Sequence, residues 1–107
     1  MKTKILFIIL LYSLSFSGAS NRVAYIHYLE GECKIINAKD ESRYFLGNFG
    51  NSILSNDIII VEEKSKCHIL FDDSNTKVDL NSNSKIRINN SKYGREIVLD
   101  YGSLVIE

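Results

Sequence analysis

The chain has no proline, only two cysteines and no excess of either charge: 13 basic residues stand against 13 acidic ones in a length of 107. With no proline-rich linker, low-complexity tract or run of like charge to mark a boundary, one small domain is expected rather than two. Near-neutrality gives no general attraction to nucleic acid or to an anionic lipid surface, so neither is expected as a partner. Past the first twenty residues no apolar stretch is long enough to span a bilayer, and no transmembrane helix is expected there. The sequence also lacks the G-x-S-x-G nucleophile turn and the D-x-[DN]-x-[DN]-G spacing of a tight calcium loop.

The N-terminus differs from the rest. Lys2 and Lys4 precede an apolar run of ten residues, Ile5 to Leu14, and Ser-Phe-Ser-Gly-Ala-Ser at 15–20 supplies small residues for cleavage after Ala19. Residues 1–19 read as a secretory signal peptide. Extended to Phe16, the run has twelve residues against the roughly 20 needed to cross a bilayer, so a cleaved signal is expected rather than an uncleaved anchor. No cysteine follows for a lipid anchor. The expected location is the periplasm of a bacterium, or outside the cell. Cleavage leaves residues 20–107 as the domain, with two acidic residues in excess. A domain of that size buries roughly 60 to 65% of its unfolded surface and has little stability to spare. Export places Cys33 and Cys67 where disulfides persist. A bond between them would close a loop of about 35 residues, for which chain entropy gives about 4 kcal/mol; two separate buried thiols are the alternative.

What is abundant is strand pattern. VAYIHYL, ECKIINA, RYFL, DIIIVEE, KCHILFD, TKVDL, SKIRINN, REIVLDYG and SLVIE follow one another between clusters of Gly, Asn, Asp and Ser. The spacing of roughly 8 to 12 residues is that of an all-β fold, here a single small antiparallel sandwich or barrel-like domain. In SKIRINN, Ile86 and Ile88 oppose Lys85 and Arg87, and in TKVDL, Val78 and Leu80 oppose Lys77 and Asp79, so each strand has one buried and one wet face. DIIIV does not alternate. Ile59 and Val61 can face the core, but Ile58 and Ile60 on the other face are also apolar. Either the strand is central and covered on both sides, or Ile58 and Ile60 form an interaction surface for a partner. Asn56-Asp57 and the Asp72-Asp73-Ser74-Asn75 stretch are turn chemistry, and Asn56 can enter the left-handed region at low cost.

The stretch CHILFDDSNTKVDL, residues 67–80, gathers the residue types of a metal site or a hydrolase. Strand alternation separates them: Cys67, Ile69 and Phe71 point one way, His68, Leu70 and Asp72 the other. His68 and Asp72 would stand roughly 13 Å apart, too far for one metal ion with bonds of about 2 Å. A calcium ion held by Asp72, Asp73, Asn75 and Asp79 competes with a plain turn rich in Asp and Asn, and the turn is expected. His27 lies near Tyr25 and Tyr28, and with no nucleophile turn in the sequence no enzyme activity, cofactor or metal is expected. Asn89-Asn90-Ser91 fits a glycosylation acceptor, which matters only in a eukaryotic secretory pathway. Tyr25, Tyr28, Tyr44, Phe45 and Phe49 are available either to the core or to a binding surface.

The order of these motifs, from Gly31 to Ile106, resembles the FecR-like periplasmic domain of the ferric-citrate regulators. The resemblance rests on Gly31-x-Cys33-x-Ile35, then Gly50-x-x-Ile53-x-x-Asn56-Asp57-x-Ile59-x-Val61, then Cys67-x-Ile69-x-Phe71-x-Asp73-Ser74. It continues through Val78-x-Leu80, Ser84-x-Ile86-x-Ile88 and Leu99-x-x-Gly102-x-Leu104-x-Ile106. Asn56 and Ser74 stand where the family has glycine. The resemblance implies an exported all-β module without catalytic residues. The sensor members' transmembrane helix and cytoplasmic anti-sigma segment have no counterpart in this sequence, so their transcriptional role is not expected of it. Two functions are weighed: a non-catalytic module binding another cell-envelope protein through a sheet edge or the Ile58 and Ile60 ridge, and a carbohydrate-binding module for cell-wall or secreted polysaccharide using exposed tyrosines.

Overall fold

The alternating runs form ten strands: β1 (Arg22–Glu30), β2 (Cys33–Ile36), β3 (Phe45–Leu46), β4 (Ser52–Leu54), β5 (Ile58–Val61), β6 (Lys66–Phe71), β7 (Lys77–Leu80), β8 (Ser84–Ser91), β9 (Gly94–Tyr101) and β10 (Leu104–Ile106). The computed structural model describes residues 22–72, 75–91 and 94–107, among which there is no helix. The expected signal peptide and the Asp73-Ser74 turn positions lie outside them. The strands make two five-stranded sheets, ordered β10-β7-β6-β1-β4 and β3-β2-β5-β8-β9. Every pairing is antiparallel. The fold is all-β, in two sheets, as the strand pattern predicts.

The two orders correspond layer by layer. Taken from one side, β10, β7, β6, β1 and β4 of the first sheet answer to β9, β8, β5, β2 and β3 of the second. Each layer is therefore an arch, in which two consecutive strands belong to opposite sheets.

Two of these arches turn at a glycine packed on a serine. Gly31, between β1 and β2, has φ 85°, and Gly102, between β9 and β10, has φ 90°. A Cβ on Gly31 would collide with Oγ of Ser65, and one on Gly102 with Oγ of Ser84. Only glycine combines that backbone with that contact. Each serine hydroxyl accepts the next N–H of the arch, from Glu32 to Ser65 at 2.9 Å and from Ser103 to Ser84 at 3.0 Å. Ser84 opens β8 and Ser65 stands one residue before β6, each following a left-handed residue at φ 57°, Asn83 or Lys64. Ser82 joins the two sites, its hydroxyl donating to the Ser65 carbonyl at 2.7 Å and accepting the Ser65 N–H at 3.0 Å. Buried serines at strand starts thus satisfy backbone groups that the sheet crossings would otherwise leave unpaired.

The core lies between the sheets. Ala24, Ile26, Ile69, Phe71, Val78 and Leu80 face Ile35, Ile59, Val61, Ile86 and Ile88, all at most 1% exposed. Three particular expectations hold. Asn56 is left-handed at φ 71°. β6 and β7 form a hairpin across the Asp-Asn-rich turn, with Cys67 opposite Leu80 and Leu70 opposite Lys77. Strand β5 is central in its sheet. A bulge between Ile26 and Tyr28 returns Leu29 to pack against the core and leaves both Tyr25 and Tyr28 on the outer face.

Candidate functional site

The CHILFDDSNTKVDL residues separate as alternation requires. Cys67, Ile69 and Phe71 are buried, while His68 and Leu70 are half-buried on the outer face. The carboxylate that faces His68 is its cross-strand neighbour Asp79, at 3.6 Å, and not Asp72. Asp72 instead receives two hydrogen bonds from the Arg22 guanidinium, at 2.7 and 3.0 Å. Asp79 also lies 3.9 Å from Lys77, which reaches Glu107 at 3.3 Å. Of the oxygens weighed as calcium ligands, those of Asp72 and Asp79 are thus directed at cationic side chains of the protein itself. Among the described residues no group of three or more His, Cys, Asp or Glu is placed to hold a metal ion. His27 is exposed at the bulge, edge-on to Tyr25 with ring centres 6.1 Å apart.

The Ile58 and Ile60 ridge is largely shielded. On the outer face Ile58 lies between Ile36 of β2 and Arg87 of β8, and Ile60 between Lys34 and Lys85. Glu41, in the loop following β2, accepts a hydrogen bond from Arg87 at 3.1 Å, which holds that loop across the sheet beside Ile58. Ile58 is 7% exposed and Ile60 half-buried. The central position of β5 is the cause, since both flanks bring side chains whose aliphatic stems cover it.

The aromatic residues divide between the sheets. Tyr25 and Tyr28 share the outer face of the first sheet, where the Tyr28 ring lies 4.9 Å from that of His68. Tyr44 stands at the other sheet, with Lys34 Nζ 4.7 Å from its ring centre. Tyr44, Phe45 and Phe49 are exposed at the β3 side of the sandwich and not part of the core. A cleft of about 360 Å³ there is lined by Asn37, Asp40, Arg43, Tyr44 and Phe45.

At the opposite side, β9 and β10 close the layers and are the outermost strands of their sheets. Val98, Leu99, Tyr101, Val105 and Ile106 are 38–54% exposed along them. Leu99 pairs with Ile86 and Ile106 with Val78, so both point to the inner side of their sheets, at a lip where no further strand covers them among the described residues. Sequence pattern placed these residues in the alternating register without indicating their exposure, because an edge strand and a central one alternate alike.

Cys33 and Cys67 come together. They lie in β2 and β6, in opposite sheets, both 0% exposed, with their thiols in hydrogen-bonding contact. Gly47 seals them in: a Cβ there would collide with Cys33 Sγ and come within 2.9 Å of Ile26 Cδ1. The Cys67 thiol, donating to Cys33 and buried, is pushed above the usual thiol range, and that hydrogen bond brings Cys33 below it.

Compared with known protein families, curated proteins and solved structures, the chain matches none.

Proposed function

We propose that this chain is an exported, non-catalytic FecR-like module that binds another protein of the bacterial cell envelope along the β9–β10 edge. The observation that supports this is the edge itself. At eight residues, β9 is by far the longest edge strand, the others having two or three. A long edge offers unpaired backbone donors and acceptors to an added strand, and short ones do not. Around it stand the five exposed apolar side chains Val98, Leu99, Tyr101, Val105 and Ile106. Main-chain pairing would supply affinity, and the lip at Leu99 and Ile106 would select the partner's side chains. The N-terminal apolar run supports export, and the FecR-like order of motifs supports an envelope setting. The test is to replace Leu99 and Val105 together by Lys and measure recovery of bound protein from envelope extract, with circular dichroism confirming the fold. At least a tenfold loss of recovery is expected; unchanged recovery by a folded variant rejects the edge.

A second reading, binding of a cell-wall or secreted polysaccharide, is favoured by the cleft lined by Asn37, Asp40, Arg43, Tyr44 and Phe45. Polar groups beside an aromatic ring suit a sugar, which presents hydroxyls on its rim and C–H groups on its faces. Titration with soluble cell-wall fragments, watched by tyrosine fluorescence, decides it: saturable quenching abolished in Tyr44→Ala supports the sugar, and no change at millimolar fragment removes it.

A further inference from the structure

The geometry points to a covalent staple: we propose that Cys33 and Cys67 form an intramolecular disulfide that joins the two sheets beside the β1–β2 and β5–β6 arches. Two stacked sheets stand about 10 Å apart on average, and a disulfide needs them locally closer, with Cα atoms about 4.4 to 6.8 Å apart. These two cysteines are not at ordinary positions. Gly31 and Ser65 are in contact at the arch, a Cβ on Gly31 falling 3.0 Å from the Cα of Ser65. Cys33 and Cys67 each follow that contact by two residues, where the strands have not yet diverged, and both point inward. Their thiols, both free and 0% exposed, meet there.

The surroundings assign an order to the chemistry. Cys67 lies on β6, held between β1 and β7 in the middle of its sheet. Cys33 lies on β2, beside the two-residue strand β3, which is held by the pairs Lys34–Leu46 and Ile35–Phe45 and by the Gly47 N–H donating to the Cys33 carbonyl at 3.0 Å. Opening of this short edge bares Cys33 first. Cys33 is also the better thiolate, because the Cys67 thiol donates to it. Its sulfur attacks one sulfur of an incoming disulfide, either an oxidoreductase of the dithiol–disulfide class or a small-molecule disulfide, and expels the other as thiolate. The Cys67 thiolate then attacks the Cys33 sulfur of the mixed disulfide and releases the donor's second sulfur. The chain loses two protons and two electrons, and the donor leaves as two thiols.

The test uses the purified chain, reduced and then held with excess oxidised glutathione until no further change, quenched in acid, denatured and alkylated. The expected product is a monomer about 2 Da lighter with no alkylated thiol, whose digest contains Cys33 and Cys67 in one cross-linked peptide. Its midpoint of thermal unfolding should lie about 10 °C or more above that of the reduced chain. Cys67→Ala should trap glutathione on Cys33, while Cys33→Ala leaves Cys67 unmodified over the same exposure. Two alkylated thiols in the wild type, or cross-links only between chains, overturn the staple; glutathione on Cys67 of Cys33→Ala at the same rate overturns the order. The wild-type arm depends on no variant folding.

Discussion

At Asp57 four parts of the chain meet. Its carboxylate accepts the N–H of Leu54 at 2.9 Å and of Ala38 at 3.3 Å, tying β4 and the loop after β2 to the start of β5, and its carbonyl accepts the Ile88 N–H of β8 at 3.2 Å. Burial raises this carboxyl above its ordinary value, against the pull of those two N–H groups. The folded state therefore holds the proton more tightly than the unfolded chain. The resulting stability is complete below about pH 3.8 and is lost as pH rises through the higher folded-state value. Asp57→Asn should remove that part of the pH dependence. At neutral pH it should also cost about 1 to 3 kcal/mol, because one backbone N–H would face an amide NH₂ in place of an oxygen. Urea unfolding of both proteins at pH 4 and pH 7 checks this, and parallel pH profiles would contradict it. Gly31 and Gly102 belong to the same scale. Alanine at either position meets a serine hydroxyl in a left-handed backbone, so each substitution should lower stability by about 2 kcal/mol or more, while Gly50→Ala, with open space around its Cβ, carries only the backbone cost.

Among the elements, the serine-filled arches explain how short strands cross between sheets repeatedly without exposing backbone. Ser65 serves two crossings, accepting from Glu32 while its own backbone is bonded to Ser82. Ser65→Ala should therefore leave the Glu32 N–H without its partner and destabilise by about 1 to 3 kcal/mol, read as a shift in urea midpoint. The strands should also differ in local stability. β5 and β6 have strand neighbours on both sides, whereas β3 and β10 have two or three residues and one neighbour each. Amide exchange should be slowest in β5 and β6 and fastest in β3 and β10, and uniform protection would contradict the layered arrangement. Alternation in TKVDL, SKIRINN and KCHILFD was readable from sequence because one buried face alone produces it. The arches were not, since nothing local in Glu30-Gly31-Glu32 says that the next strand enters the other sheet. That choice rests on contact with Ser65, more than thirty positions away. His68 shows the same limit: its strand gave its face, but its partner Asp79 came from the hairpin register.

For the molecule as a whole, stacking the layers leaves two unlike sides. The β3 side has short strands and an aromatic cleft; the β9–β10 side has a long edge and an apolar lip. Composition and turn spacing were enough for the all-β class, and the inward-facing residues of the middle strands were legible one by one. The candidate surface was not, because Leu99 and Ile106 carry the same inward pattern as Ile86 and Val78 and differ in lying on edge strands that no further strand covers among the described residues. At Ile58 and Ile60 the sequence left burial and an interaction surface both open, and the central place of β5 accounts for the cover that Lys34, Ile36, Lys85 and Arg87 give them. The most direct measurement is photo-crosslinking in the native envelope, with the photoreactive residue placed at Val98 or Val105 in one pair of variants and at Lys39 or Glu63 in another. Docking along the edge predicts a discrete cross-linked species from Val98 and Val105 and none from Lys39 and Glu63; equal cross-linking from all four positions, or none from Val98 and Val105, would contradict it.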